Sequence, residues 1–143
     1  MFFPVFTLII IGFQKKHLYS KDYSSLSNLD KSTENNIIAY QYIQVNNYRT
    51  ALLFANKSLL LNPQNHYTLD ALGVIKYNLK DYKGALESLN KSIEINNNFG
   101  IKHYHRGHVY SKLDRSEEAI KEWRLAAKMG ELKAKKELEK IKL

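Results

Sequence analysis

The chain contains no cysteine among its 143 residues. This absence excludes disulfide bonds, zinc sites built from thiolates, a cysteine nucleophile and the lipid attachment of bacterial lipoproteins. No serine lies in a G-x-S-x-G turn, and no glycine-rich phosphate-binding loop occurs in the sequence. We therefore predict neither a catalytic site nor a bound cofactor, and we expect a protein that is not an enzyme.

No apolar run reaches the roughly 20 residues that a membrane-spanning helix needs. The longest opens the chain at Met1–Phe13 (MFFPVFTLIIIGF) and is followed by Lys15 and Lys16. Its length is typical of a signal peptide or a short anchor, although no basic residue precedes it and no A-x-A-like cleavage site follows. We expect export to the periplasm or membrane tethering through this segment. A cytoplasmic protein with an apolar first helix packed on the fold, or a misassigned start codon, remains the alternative.

The formal charge of +8 and the pI near 9.5 favour acidic partners, a nucleic acid or an anionic membrane. However, the lysines are spread along the chain and are mixed with acidic residues and many asparagines. We interpret the charge as solvation and base composition, and we expect no nucleic-acid partner. The abundance of asparagine and lysine favours an AT-rich bacterial genome. With 44% hydrophobic residues, the composition is that of an ordinary globular domain.

Residues 14–32 are rich in serine and mixed charge and show no sustained periodicity. This composition predicts a flexible linker between the apolar start and the folded part.

A fixed period organises the remainder of the chain. The same interval separates Gly73 from Gly107, and Ala51, Ala85 and Ala119 repeat it twice. A period of this length, with small residues where helices touch, predicts repeated helical hairpins. Polar breaks place seven helices at about 34–45, 48–61, 65–79, 82–95, 99–113, 116–129 and 131–142. Asp114 and Glu117 have the spacing of a capping box, which predicts the start of the sixth helix.

The repeated residues resemble the tetratricopeptide repeat (TPR) family. The match is carried in the middle unit by Leu69, Leu72, Gly73, Tyr82, Ala85, Leu89 and Ile95, and in the third by Gly107, Tyr110, Ala119, Trp123 and Ala126. The first unit is the weakest, because Asn35 stands where a bulky apolar residue is usual. Arg106 replaces an expected leucine, which predicts either a side chain that snorkels along the helix or looser packing.

The resemblance implies an all-α, right-handed α-solenoid. Its three units span 32–65, 66–99 and 100–130, so that the repeats cover 33–130, and a capping helix with a polar outer face follows at 131–143.

In the family, the first helices of the units line a concave groove. The resemblance places these residues in that groove: Asn36, Tyr40, Tyr67, Asp70, Tyr77, Asn78, Tyr104, His108 and Lys112. Four tyrosines with amides and a histidine suit an extended or helical peptide, although the ten tyrosines of the chain partly reflect composition. We therefore predict a protein or peptide partner, with Tyr40, Tyr77 and Tyr104 as anchors. The alternative is a structural subunit of a larger assembly, such as one associated with the cell envelope, or a self-associating array.

Two more specific functions are disfavoured by the sequence. His105 and His108 are neighbours at i,i+3, but His103 points elsewhere, so we expect no metal site. TPR domains that hold the carboxylate terminus of chaperones use a clamp of lysine, asparagine and arginine. The matching positions here are Asn36, Tyr40, Ala71, Ile101 and His105. Because these include neither lysine nor arginine, we do not expect binding of a chaperone tail.

Overall fold

The computed structural model describes residues 27–141 and shows seven helices and no strand within that range. The helices are α1 (Asn28–Gln44), α2 (Tyr48–Leu61), α3 (His66–Asn78), α4 (Tyr82–Ile95), α5 (Gly100–Lys112), α6 (Ser116–Lys128) and α7 (Leu132–Ile141). The pairs α1–α2, α3–α4 and α5–α6 form three hairpin units, and α7 packs on α6. The predicted all-α repeat architecture is confirmed.

The turn inside each hairpin uses the same backbone conformation. Asn46, Lys80 and Asp114 follow one another at the repeat period, and their φ angles of 57°, 66° and 59° lie in the left-handed region. A single left-handed residue reverses the chain at the end of a helix, and asparagine and aspartate tolerate this conformation better than most residues. The turns lie at the polar breaks of the sequence.

Most helices begin at a residue whose side chain satisfies a free backbone N–H. In α2, α3 and α4 the caps are Asn47, Asn65 and Asp81, whose side-chain oxygens accept from a backbone N–H three residues later at 3.0–3.2 Å. Each satisfies one of the backbone donors that a helix start leaves unpaired. The bounds of six helices, from α2 to α7, lie within one residue of those predicted.

The predicted capping box at Asp114 and Glu117 was wrong. The N-cap of α6 is Arg115, and it makes no side-chain cap bond. Asp114 lies one residue earlier, where the hairpin turn requires a left-handed backbone. Because Asp114 belongs to the turn, its carboxylate does not cap the helix.

The first helix begins six residues earlier than predicted. A capping box forms there, in which the Asp30 backbone N–H donates to Ser27 Oγ at 3.2 Å and the Asp30 carboxylate accepts from the Ser27 N–H at 3.3 Å. Residues 28–32, which the composition predicts as the end of the linker, therefore belong to α1. The remainder of the predicted linker and the apolar segment 1–13 lie outside the described residues.

Small residues allow the two helices of each unit to approach closely. An added Cβ at Gly73 would lie 2.5 Å from Leu89 Cγ, and one at Gly107 would overlap the Trp123 ring. In the first unit the corresponding pair is Ala39 and Ala55, both fully buried. The residue on the second helix is alanine in the first unit, leucine in the second and tryptophan in the third. Its partner on the first helix is alanine in the first unit and glycine in the other two.

The first helices form an inner row. α1 packs on α3, and α3 packs on α5. The second helices of the units, α2, α4 and α6, contact one another less. We call the side of α1, α3 and α5 that corresponds to the predicted groove the inner surface. At the other end of the array α7 buries Ala134, packs Leu138 against the core and exposes its lysines, as a capping helix should. Between residues 27 and 141, none of the helices combines the length and the apolar composition needed to cross a bilayer.

Candidate functional site

The predicted groove residues lie on the three first helices, but the structure brings only six of the nine into two groups. Asn36 and Tyr40 are on α1, Tyr67, Asp70, Tyr77 and Asn78 on α3, and Tyr104, His108 and Lys112 on α5. One group surrounds the carboxylate of Asp70. The other surrounds a cavity between α3 and α5.

Asp70 is the centre of the first group and is only 5% exposed. The Tyr40 hydroxyl lies 3.3 Å from its Oδ2 and 3.4 Å from the Tyr67 carbonyl oxygen, and His105 Nδ1 lies 3.0 Å from its Oδ1. Burial raises the pKa of Tyr40, and the neighbouring Asp70 carboxylate raises it further. The Tyr40 hydroxyl is therefore engaged inside the protein, which weakens its predicted role as an anchor for a ligand.

The second group surrounds a cavity of about 250 Å³. Its apolar lining comes from Gly73, Val74, Leu89 and Val109, and its polar and aromatic lining comes from Tyr77, Asn78, Tyr104, His105 and His108. An apolar pocket with a few polar groups at its edge is the usual form of a small binding site. Four of the nine predicted groove residues, namely Tyr77, Asn78, Tyr104 and His108, are brought together here.

His108 is the most unusual member of this cavity. Its ring centroid lies 4.6 Å from Tyr104, 5.2 Å from Trp123 and 6.4 Å from Tyr77. Its Nε2 atom is buried and has no hydrogen-bond partner within residues 27–141. Burial lowers the pKa of His108, although the nearby Glu137 carboxylate opposes this shift. The imidazole is therefore neutral at pH 7 and offers one buried polar atom.

The two tyrosines beside the cavity keep their protons at ordinary pH. Burial raises the pKa of both Tyr77 and Tyr104, and the Glu137 carboxylate on α7 adds to the effect. Glu137 is itself paired with Lys140 at 2.9 Å. Both phenols can therefore donate a hydrogen bond to a ligand.

Three other predicted groove residues contribute less. Asn36 is 9% exposed, and its Oδ1 has no partner within the described part of the chain. Lys112 is exposed at the end of α5. Tyr67 is 52% exposed, its ring lies tilted against that of His66 with 4.0 Å between centroids, and it is not part of the cavity lining.

Five of the lining residues are not among the nine predicted groove residues: Gly73, Val74, Leu89, His105 and Val109. Leu89 belongs to α4, outside the inner row, and contacts the cavity because Gly73 has no side chain in front of it. The complementary sizes of these two residues were visible in the sequence. The sequence did not reveal that both residues border a cavity.

A buried polar cluster lies in the third unit, behind the inner surface. Glu122 lies 2.7 Å from His103 Nδ1 and 2.8 Å from an Arg106 nitrogen, and Arg106 also donates to Asn90 at 2.9 Å. The sequence predicts that Arg106 snorkels along the helix or packs loosely. In the structure it does neither, because it pairs with the Glu122 carboxylate. Burial alone would raise the pKa of Glu122, yet the hydrogen bonds from His103 and Arg106 outweigh burial and lower it.

A second buried cation was not predicted from the sequence. Lys102 is 2% exposed and donates to the carbonyl oxygens of Ser92 at 3.1 Å and Asn96 at 2.7 Å. The Ser92 carbonyl also accepts from the Asn96 N–H, so Lys102 adds a second bond to this carbonyl at the end of α4 and satisfies the Asn96 carbonyl beyond it. Burial lowers the pKa of Lys102. These contacts give Lys102 a structural role at the junction of the second and third units.

The clustered histidines do not converge on one point. His103 faces Glu122, His105 faces Asp70, and His108 packs among aromatic rings. Within residues 27–141 no group of three or more histidine, aspartate or glutamate side chains is arranged to hold a metal ion.

Known proteins share this architecture. The model of the family described as anaphase-promoting complex, cyclosome, subunit 3 matches residues 44–123, more than half of the chain. No curated protein matches the sequence.

Among solved structures, the first TPR of Spaghetti (RPAP3), bound to the HSP90 peptide SRMEEVD, is similar with 20% identity and a TM-score of 0.73, covering 80% of this chain and 93% of that one. The Arabidopsis OM64 TPR domain shares 19% identity with a TM-score of 0.71, covering 80% and 98%. The MamA AMB-1 structure shares 26% identity with a TM-score of 0.63, covering 71% and 60%. The chain therefore belongs to the family whose model it matches and has the fold of the tetratricopeptide-repeat proteins.

Proposed function

We propose that this protein is a non-enzymatic interaction module that binds a peptide or protein segment along its inner surface. The observation that carries the proposal is the cavity between α3 and α5 with Tyr77, Tyr104 and His108 at its edge. Large, rigid side chains with a polar tip bind a partner with a small loss of conformational entropy. A similar TPR domain, that of Spaghetti (RPAP3), holds a peptide in its structure, which supports this class of function.

The chemistry of this inner surface differs from that of a carboxylate clamp. Of the five clamp positions, Ala71 is fully buried and His105 is beside the Asp70 carboxylate. A bound carboxylate would meet Asp70 rather than a lysine or an arginine, and like charges repel. We therefore propose a ligand that is recognised by its side chains and not by a free C-terminus.

The test begins with peptides selected from a random library against the full chain. We expect Tyr77→Ala together with Tyr104→Ala to weaken the best selected peptide at least tenfold, measured by calorimetry. The matched control is Leu53→Ala together with Leu60→Ala, which removes two large exposed side chains from α2, outside the inner row. This control should retain the wild-type affinity.

Circular dichroism establishes that each variant remains folded. Unchanged affinity in a folded Tyr77→Ala, Tyr104→Ala variant would refute the proposed site. Loss of binding in the α2 control alone would place the ligand on the second helices instead.

A second candidate is self-association as part of a larger assembly. Exposed aliphatic side chains on the first unit favour it, since Ile37, Leu53 and Leu60 are 52%, 52% and 83% exposed. The equivalent residue of the second unit, Ala71, is fully buried, so the exposed aliphatic side chain at this position belongs to the first unit and not to the second. Sedimentation of the protein over a hundredfold range of concentration tests this candidate. A monomer throughout refutes it, and an oligomer dissociated by Ile37→Ser supports it.

We also propose that the apolar segment 1–13 directs export or tethers the protein to a membrane. The supporting observation is its length and the lysines that follow it. Intact mass of the protein recovered from its native host, together with its fractionation between membrane and soluble pools, tests this proposal. A full-length chain confined to the soluble cytoplasmic pool would refute both export and membrane tethering.

A further inference from the structure

Tyr40 and Val74 occupy the same position in successive units, one repeat period apart. Tyr40 extends from α1 towards α3, where its hydroxyl lies 3.3 Å from the Asp70 carboxylate and 3.4 Å from the Tyr67 carbonyl oxygen. The equivalent place between α3 and α5 holds the shorter Val74, which lines the cavity. The first pair of units thus carries its own tyrosine ring where the second pair has an open space.

The space is large enough for an aromatic ring. Its volume is about 250 Å³, whereas an apolar cavity of about 150 Å³ in another protein accommodates benzene. Val74, Leu89 and Val109 provide apolar contacts for the faces of a ring. Tyr77, Tyr104 and His108 lie at the cavity, and their ring edges can pack against a further aromatic ring.

The lining favours a neutral ring that carries a hydrogen-bonding group. None of the nine lining residues is an aspartate, glutamate, lysine or arginine. The carboxylate of Glu137, which influences both tyrosines, is already paired with Lys140. A charged group in the cavity would therefore lose its hydration without gaining a counter-ion. A hydroxyl, by contrast, can pair with the phenols of Tyr77 and Tyr104 that line the cavity, and with the buried, unpartnered Nε2 of His108 once the imidazole turns towards it.

We propose that this cavity binds a tyrosine side chain of the partner segment, in the place that Tyr40 occupies between the first two units. This inference rests on the proposed function and specifies the anchor residue of the ligand. The partner is thus a segment with at least one accessible tyrosine, held by ring burial and by a hydrogen bond from or to His108.

p-Cresol, the side chain of tyrosine as a free molecule, is the probe for the test. We expect its titration into the ¹⁵N-labelled full chain to shift the amide resonances of Gly73, Val74 and Val109 with a millimolar Kd. Val74→Tyr should weaken binding at least tenfold, because it closes the cavity as Tyr40 does between the first units. Val74→Ala is the matched control, since it leaves the cavity open and should bind within about threefold of wild type.

The fold should tolerate the closing variant, because this position already carries tyrosine in the first unit and His108 in the third. His108→Phe provides an independent measurement, because it keeps an aromatic ring and removes the polar atom. It should abolish the preference of the cavity for p-cresol over toluene. Benzoate and benzylamine, which place a charge on the ring substituent, should bind at least tenfold more weakly than p-cresol.

Equal binding of p-cresol by wild type and Val74→Tyr would overturn the proposal, as would resonance shifts confined to residues outside the cavity. A stronger response to benzoate or benzylamine would overturn it as well. The outcome is independent of the peptide experiment. If p-cresol fails to bind while Tyr77→Ala with Tyr104→Ala still loses the selected peptide, the proposed function stands and the tyrosine anchor is refuted.

Discussion

The junction between the first and second units differs from the junction between the second and third, although both have the same backbone arrangement. Hydroxyls fill the first junction: Ser32, Ser58 and Thr68 are fully buried and bonded to one another at 2.8–3.0 Å. The second junction contains the buried ammonium of Lys102 and the cavity. The repeat period therefore fixes the position of each junction, and the side chains decide whether that junction is filled or contains a cavity.

The interiors of the units differ in the same way. In the first unit, Phe54 stacks on Tyr42 with 5.6 Å between ring centroids. The repeat period, taken twice, leads from Phe54 to Glu122, which pairs with His103 and Arg106. The third unit is therefore held by buried charge where the first is held by aromatic packing. This difference makes the two ends of the array respond differently to mutation and to pH.

The largest effect is expected from Glu122→Ala. It leaves the buried ring of His103 and the largely buried guanidinium of Arg106, whose side chain is 17% exposed, without their carboxylate, and breaking a buried pair costs about 3–5 kcal/mol. Urea denaturation measures the loss. Glu118→Ala removes the exposed partner of Arg115 and should have a much smaller effect, because water screens an exposed ion pair. Equal effects of the two substitutions would show that the third unit does not depend on its buried charge.

A smaller effect is expected from Gly73→Ala. The added methyl group would lie 2.5 Å from Leu89 Cγ, and overpacking of a core costs about 1–3 kcal/mol. In a Leu89→Ala background the same substitution should be neutral or stabilising, because alanine favours a helix by about 1 kcal/mol over glycine. The pair would then match Ala39 and Ala55 of the first unit. A double-mutant cycle by denaturation without coupling would contradict this account of the repeat interior.

Lys80→Gly should stabilise the protein by about 0.5–1 kcal/mol. Lys80 has a φ of 66°, which strains any residue that has a Cβ atom and is freely accessible to glycine. Asn46→Gly, at the corresponding turn of the first unit, should gain less because asparagine tolerates this conformation. Thermal unfolding of both variants checks the order. A larger gain at Asn46 would contradict it.

The smallest effect is a loss of stability as the pH falls below about 6.5, the usual pKa of histidine. Burial lowers the pKa of both His66 and His108, so the unfolded chain binds protons before the folded one does. Stability is then full above pH 6.5 and declines as the pH falls towards the lowered pKa values. Both rings keep some solvent contact, which limits the size of the effect.

Urea midpoints measured between pH 7.5 and 5 check this decline. A variant with His66→Asn and His108→Asn should show a flatter profile, whereas Ser58→Ala, in the first junction, should keep the wild-type slope. A wild-type midpoint that rises as the pH falls would refute the sign of the prediction.

Much of the fold could be predicted because its signals are local. The caps at Asn47, Asn65 and Asp81 bond to an N–H three residues away, so their effect is visible in a short stretch of sequence. The start of α1 was missed because a serine-rich composition suggested a linker. The contact that explains the burial of Ser32 there comes from Ser58, which is 26 residues away.

The candidate site could be predicted only in part. The repeat phase placed Tyr77, Tyr104 and His108 on one side, and the structure gathers them around one cavity. Tyr40 has the same phase as His108, yet its hydroxyl is bound to Asp70 inside the protein. Phase indicates which way a helix position faces. It does not indicate whether a neighbouring unit already uses the side chain.

The sequence by itself determined the period, the hairpin turns and the small residues between paired helices. Each of these depends on hydrogen bonds or sterics within a few residues, or on a spacing that repeats. The tertiary structure decided which polar groups are paired in the interior and where space remains, because those partners are distant in the chain. His105 and Asp70 are separated by 35 residues, and His103 and Glu122 by 19. Such contacts follow from the exact packing of side chains between units, which no local pattern specifies.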